Sequence, residues 1–208
     1  MTAPDKDDSP ATVVRSKTIE VTLAGPQRYS FRGRLTDMSL CGDYGPECDP
    51  PETAGSQQRR RTIHDFGVNG LIEGRDLVLA NLTVEALTHP YGLCPVVIPR
   101  CRVLVGHSLT TGWRRMVLKA LGGSSGCTHV TTLLLGLAEA RTLVFFLEMN
   151  AKTPYTESTR SDGRWTATGL EVAPSIVGAC HALADTGSVI RTARHRSPRP
   201  NAGVDHGG

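Results

Sequence analysis

Lys17-Thr18-Ile19-Glu20-Val21-Thr22-Leu23 alternates polar and apolar residues along its whole length, and Gly25-Pro26 closes it. Side chains of a strand point alternately to opposite faces, so Ile19, Val21 and Leu23 share one face and the stretch predicts a half-buried strand. Past the Gly-Pro turn, residues 29–38 predict a second strand, 61–73 a third and 76–88 a fourth. Gly67 and Gly70 weaken the third. In the fourth, Leu77, Leu79 and Leu82 alternate with polar neighbours, and Val84-Glu85 predicts a bulge or a change of face. Consecutive strands joined by short turns predict an antiparallel sheet.

After residue 90 the period changes from two to that of a helix. Pro95 suits a first helical turn, and 96–105 predicts a short apolar helix despite Pro99. Residues 111–121 are amphipathic, with Trp113, Met116, Val117 and Ala120 on one face and Gly122 as the stop. A long helix is predicted over about 128–150, where Val130, Leu133, Leu134, Leu137, Val144 and Leu147 fall near helical spacing. Strands first and helices afterwards define an α+β fold: an antiparallel sheet of about four strands, a layer of three helices, and a C-terminal extension. The expected organisation is a polar disordered tail (1–15), one α+β domain (16–190) and a disordered basic tail (191–208). Within the domain, 41–60 reads as an inserted Gly/Pro-rich loop and 152–172 as a second loop.

The chain has 208 residues, enough to bury a core without staples. Apolar residues make up 39% and aromatics only 5%, so aliphatic side chains must supply most of that core. A net charge of +3 is too mild to imply a nucleic-acid surface, and the arginine clusters at 59–61 and 191–199 read as solvated charge. Residues 1–16 contain Asp5, Asp7 and Asp8 and no apolar core of a signal peptide. The apolar stretch 130–149 is interrupted by Glu139 and Arg141, short of an unbroken membrane span. These readings make the protein cytoplasmic, where six cysteines are expected to be buried, metal-bound or reactive rather than paired.

Three segments bring Cys or His to the ends of predicted elements. They are Pro90-Tyr91-Gly92-Leu93-Cys94-Pro95, Gly122-Gly123-Ser124-Ser125-Gly126-Cys127-Thr128-His129, and Gly178-Ala179-Cys180-His181. Cys127 opens the long helix, where backbone N–H groups and the dipole favour an anion such as a thiolate. His129 follows two residues later. Cys94 opens another helix, and Cys180 or His181 could complete a four-donor nitrogen and sulfur set of the kind zinc takes tetrahedrally, or that an iron–sulfur cluster uses in part. Gly123 and Gly126 have a second reading, as a backbone nest for an anionic cofactor at the helix start. No Cys-x-x-Cys pair and no P-loop lysine is present. His64-Asp65 lies in the third predicted strand, where neighbours face opposite sides, so at most one of the two reaches a site. Asp37, ending the second strand, is a further acid partner. Cys101, flanked by arginines, reads as a small buried hydrophobe, and Cys41 and Cys48 as incidental loop residues.

Together these segments resemble the bacterial family known as domain of unknown function 2889. The residues that carry the resemblance are Leu35-Thr36-Asp37, Ile63-His64-Asp65, Pro90-Tyr91 with Cys94-Pro95, Val105-Gly106, Gly112-Trp113, Gly126-Cys127-Thr128-His129 and Cys180-His181-Ala182-Leu183. They cover residues 15–190 in outline, with the Gly-Cys-Thr-His segment the most specific. The resemblance implies a shared fold and site and no particular activity. A fold-level likeness to iron–sulfur cluster scaffold and sulfur-acceptor proteins implies Cys94, Cys127 and His129 as ligands, with Asp37 or His64 as partners. The early Cys-Gly-Asp segment of those scaffolds has only its Asp here.

The leading expectation is a metal-binding accessory protein. It would hold zinc or an iron–sulfur cluster through Cys94, Cys127, His129 and Cys180; its partner is left open, a protein being one candidate and a membrane not. Its rivals are a cysteine-dependent enzyme with Cys127 as nucleophile and His129 or His64 as base, and an anion- or small-molecule-binding module at Gly122–Gly126.

Overall fold

The computed structural model describes residues 12–41 and 59–196. Most of the expected inserted loop, with Cys48, lies outside the described residues, as do both chain ends. The chain forms two compact units, Met1–Arg141 and Thr142–Gly208, where the sequence predicts one domain over 16–190.

The first unit is built on four antiparallel strands in the order of the chain: β1 (Thr12–Gly25), β2 (Arg28–Cys41), β3 (Arg59–Glu73) and β4 (Val78–Thr88). β1 begins ahead of the expected boundary at residue 16. Its β-branched start pairs Thr12, Val13 and Val14 with Leu40, Ser39 and Met38 across the hairpin. The bulges lie where Leu71-Ile72 faces Asn81 and Leu79, and where Asp65-Phe66 faces Thr88 and Ala86, rather than at Val84-Glu85.

One face of the sheet is apolar. Tyr29, Phe31 and Leu35 of β2, Phe66, Val68 and Ile72 of β3, and Leu79 and Val84 of β4 are buried there. The other face carries Arg32, Arg34, Asp65, Asn69 and Glu85, and Arg34 holds Asp65 with two hydrogen bonds of 2.8 and 2.6 Å. One face packed and one polar is the usual condition of an antiparallel sheet.

Helices α1 (Trp113–Leu121) and α2 (Thr128–Gly136) supply the second layer, with Val117, Leu121, Val130, Leu133 and Leu134 fully buried. Fully burying a leucine or phenylalanine contributes roughly 1.5–3 kcal/mol. The Trp113 indole N–H donates to the Leu134 carbonyl at 2.7 Å, and the Thr131 hydroxyl to the Leu121 carbonyl at 3.1 Å. These two bonds fix α2 against α1. The expected apolar helix at 96–105 is a 3₁₀ helix, Cys94–Leu104. Pro99 inside it lacks the N–H and occupies the space an α-helical turn requires. The helix predicted over 128–150 is the run Thr128–Lys152, with a 3₁₀ turn at Leu137–Glu139 between α2 and α3 (Ala140–Lys152). By length and composition this run could cross a membrane. A core helix passes the same test, and Val130, Leu133, Leu134 and Leu137 are core residues.

In the second unit, the loop expected at 152–172 is largely helical: α4 (Glu157–Ser161) and α5 (Arg164–Val172). Thr156 and Thr159 form a reciprocal capping box, and Gly163 adopts φ +83° between the two helices. Polar composition concealed the helices because their buried faces are Thr, Ala and Gly: Thr159, Thr166, Ala167, Thr168 and Gly169. The expected basic tail begins inside α6 (Ser188–Arg196), which buries Ile190 and Ala193.

Gly70 sits where a Cβ would collide with the Asn81 carbonyl and lie 2.8 Å from the Phe31 ring. Gly70→Ala therefore overpacks a paired strand and should cost about 1–3 kcal/mol in chemical denaturation. An unchanged midpoint would show that β3 and β4 approach less closely than described.

Candidate functional site

The register of the sheet assembles the site. Arg15 of β1 pairs with Asp37 of β2, and Asp37 pairs with His64 of β3. Cross-strand partners point to the same face, here the face that also carries Leu35 and Phe66. His64 thus faces the helices and Asp65 faces away, as strand alternation requires.

Asp37 is buried, 6% exposed, yet charged groups surround it. Arg15 Nε donates to Oδ1 at 2.6 Å and the guanidinium's second nitrogen to Oδ2 at 2.8 Å, a two-pronged clamp. His64 Nδ1 and His129 Nε2 each lie 3.0 Å from the same Oδ2. The Arg15 hydrogen bonds, against the opposing effect of burial, hold the Asp37 carboxyl down to about 2. It is a permanent anion at neutral pH.

His129 comes from α2. Cys127 has extended backbone geometry and is the N-cap, so His129 lies in the first turn and reaches down to the sheet. Its ring stacks on His64 with centroids 3.7 Å apart and lies parallel to Phe66 at 5.6 Å. Burial, with the neighbouring His64 ring, lowers the His129 pKa despite the opposing pull of Asp37. Its neutral form, the one that ligates metals, is thereby favoured. The other ring nitrogen, Nδ1, is 3.7 Å from Cys127 Sγ.

Asp37, His64 and His129 each offer a donor atom, and all three atoms lie within 4.8 Å of one another. Among the described residues no other group of three or more His, Cys, Asp or Glu donors converges in this way. Of the expected set of Cys94, Cys127, His129 and Cys180, His129 is the member that belongs to this group. Cys94 is half-buried at the start of the 3₁₀ helix, while Cys180 is exposed and belongs to the second unit. Cys127 touches the site through His129. Cys101 is buried as expected, and burial raises its thiol pKa to about 11.

The glycines before Cys127 have a packing role. A Cβ at Gly126 would strike the Leu121 carbonyl, and Gly123 occupies φ +61°. Close backbone approach and a left-handed turn account for both without a bound anion. The residue that sequence reasoning missed is Arg15, assigned to a tail. Arg15 and Asp37 lie the same number of residues either side of Pro26, so a hairpin centred there pairs them.

Asp37 and His129 both bind protons more weakly when folded than when unfolded, so acid favours the unfolded chain. Metal-free protein should lose melting temperature as pH falls below about 6.5, through His129, and again below about 4, through Asp37. The Asp37 contribution is present above its unfolded pKa and lost as pH falls through its folded value. Asp37→Asn should remove the lower step and about 1–2 kcal/mol at neutral pH, allowing for screening of the half-exposed Arg15. Thermal melts across this range check it; parallel acid curves for wild type and variant would contradict it.

No curated protein and no solved structure matches the chain. A family described as protein of unknown function (DUF2889) matches residues 14–142. That span holds Arg15, Asp37, His64, Cys127 and His129, and stops short of the late Cys180-His181 segment that entered the resemblance. The chain belongs to the protein of unknown function (DUF2889) family.

Proposed function

We propose that the protein binds a single first-row divalent metal, zinc or ferrous iron, through Asp37, His64 and His129. The observation that carries this is the convergence of His64 Nδ1 and His129 Nε2 on one buried, ionised carboxylate oxygen. Two imidazoles and a carboxylate suit either metal, and three protein ligands leave positions open for water or substrate. Metal–ligand bonds of about 2.0–2.2 Å in a tetrahedral site set donor atoms roughly 3.3 Å apart, close to the separations found here.

The surrounding residues fit such a centre. Arg15 occupies one edge of the Asp37 carboxylate and fixes its orientation. A ligating imidazole commonly donates its second N–H to a partner, and Cys127 Sγ is placed to accept it from His129 Nδ1. Among the described residues cysteines do not converge in numbers that would hold an iron–sulfur cluster, so a mononuclear centre is favoured over a cluster.

A second reading rests on the same contacts taken in line. Cys127 Sγ, His129 Nδ1, His129 Nε2 and Asp37 Oδ2 form a chain at 3.7 and 3.0 Å, the arrangement of a thiol nucleophile, its base and an orienting carboxylate. The two readings require different tautomers. Metal binding uses the bare lone pair of Nε2; the nucleophile reading needs a proton on Nε2 and a bare Nδ1.

Metal analysis of anaerobically purified protein should find about one metal per chain, lost in Asp37→Ala, His64→Ala or His129→Ala. Cys94→Ala and Cys180→Ala should keep it, while Cys127→Ala should weaken affinity about 10–100-fold. Metal-free wild type with a rapidly alkylated Cys127 would overturn the metal reading and favour the nucleophile.

A further inference from the structure

The 3₁₀ helix Cys94–Leu104 turns once every three residues, so side chains three apart stack in straight rows along it. Burial follows that period. In one row Pro95 and Ile98 are half-buried and Cys101 and Leu104 are buried. In another, Leu93, Val96, Pro99, Arg102 and Val105 are all exposed. Leu93 is 79% exposed and Val96 62%; Tyr91, just before the row, is 71% exposed, and Val103, in the neighbouring row, 57%. At about 2.0 Å per residue the exposed row runs roughly 24 Å from Leu93 to Val105. Single exposed leucines and valines are ordinary, but a continuous ridge of them marks a docking surface.

Charge identifies what docks. From 86 to 138 the chain has no Asp or Glu. The same stretch carries Arg100, Arg102, Arg114, Arg115 and Lys119, all exposed. Two of these lie on the 3₁₀ helix itself and three on α1, which packs against it. Arg100 donates to the Ser125 carbonyl at 2.5 Å, not to a carboxylate. The complement of such a surface is negative. A second copy of the chain, meeting ridge to ridge, would set arginine against arginine with no carboxylate between them. A dry protein interface would bury Arg102 inside the apolar row, and taking that charge out of water is costly without a well-placed partner. The surface of an anionic bilayer accommodates both kinds of side chain. Aliphatic tips enter the acyl boundary while the long arginines extend to the phosphates. Tyrosine, apolar in body and polar at its tip, is enriched at that depth. The expectation against a membrane rests on spanning segments, whereas attachment to a surface needs only an apolar ridge and positive charge.

We propose that this ridge attaches the protein to the surface of a bilayer containing anionic lipid, with Leu93 and Val96 inserted and Arg102 on the lipid phosphates. The attachment is peripheral and reversible, because a few aliphatic tips bury far less apolar surface than a spanning helix. It does not rest on the metal reading.

The experiment sediments the full chain with vesicles of phosphatidylcholine alone and of phosphatidylcholine mixed with phosphatidylserine. The protein should pellet with the mixed vesicles and stay in solution with the neutral ones. Added sodium chloride should release it by screening the attraction. Leu93→Glu with Val96→Glu should weaken binding about tenfold or more, since it removes the inserted groups and adds like charge to the lipid. Arg102→Gln should weaken it about fivefold, the contribution of one arginine at an anionic surface. Leu23→Glu, which changes an exposed leucine at the far end of β1, should bind as wild type. All these positions are exposed, so melting temperatures should stay near wild type; Arg102→Gln keeps the test decisive if the double variant melts early. Wild type that stays in solution with both vesicles would overturn the proposal and leave the ridge to an acidic protein partner. Equal binding to the two vesicle types would overturn it as well, as would wild-type affinity in Arg102→Gln.

Discussion

The site depends on strand register. Arg15, Asp37 and His64 are adjacent because three antiparallel strands bring one residue from each to the same row on the same face. A slip of one residue in either pairing would send Asp37 or His64 to the solvent face and the neighbouring residue inward. What holds the register is the apolar set beside that row. Leu35 and Phe66 are fully buried, and both share its face. The hydrophobic pattern therefore does two tasks at once. It chooses which face is covered by α1 and α2, and it places a carboxylate and an imidazole at the end of the covered face, where α2 can add the second imidazole.

Charge placement follows from that geometry. A carboxylate with 6% exposure would ordinarily favour its neutral form, because burial penalises the charge. Arg15 reverses this by binding both oxygens, and it stands at the half-exposed rim of the sheet, where its own charge remains solvated. The anion is kept in place while one of its oxygens still faces two imidazoles. His129 is shifted in the opposite sense and tends to be neutral. A fixed anion beside a His129 imidazole that tends to be neutral is the pairing of protonation states that divalent-cation ligands require.

Much of the fold was legible because the two periods are clean. The alternation at 17–23 identifies a strand, with Ile19 and Val21 half-buried and Leu23 exposed, and the helical spacing from 128 onward identifies an element whose apolar face is buried. Less of the site was legible. His129 and Cys127 stood out through a glycine-rich helix start, and their contact is present at 3.7 Å. Asp37 and His64 were visible only as isolated residues, because their partnership depends on the register of β2 against β3, which is interrupted by a bulge at Asp37-Met38. Cys94 and Cys180 drew attention by residue type, yet a cysteine at an element's end is no evidence of where its thiol points. Helices α4 and α5 escaped for a different reason. Their buried residues are Thr, Ala and Gly, so hydrophobic periodicity carries no signal there, while capping by Thr156 and the left-handed Gly163 do.

The limits of the family match bear on where the chemistry resides. The matched span ends at residue 142 and the first compact unit at Arg141, two boundaries found by unrelated criteria, sequence similarity and spatial contact. Every side chain of the candidate centre lies inside both. A site shared by the family must be built from what the matched span contains, and Cys180 lies outside it. The donors that remain inside the span and also converge are Asp37, His64 and His129. The three donors that converge thus all lie inside the family-matched span, on the sheet and at the start of α2.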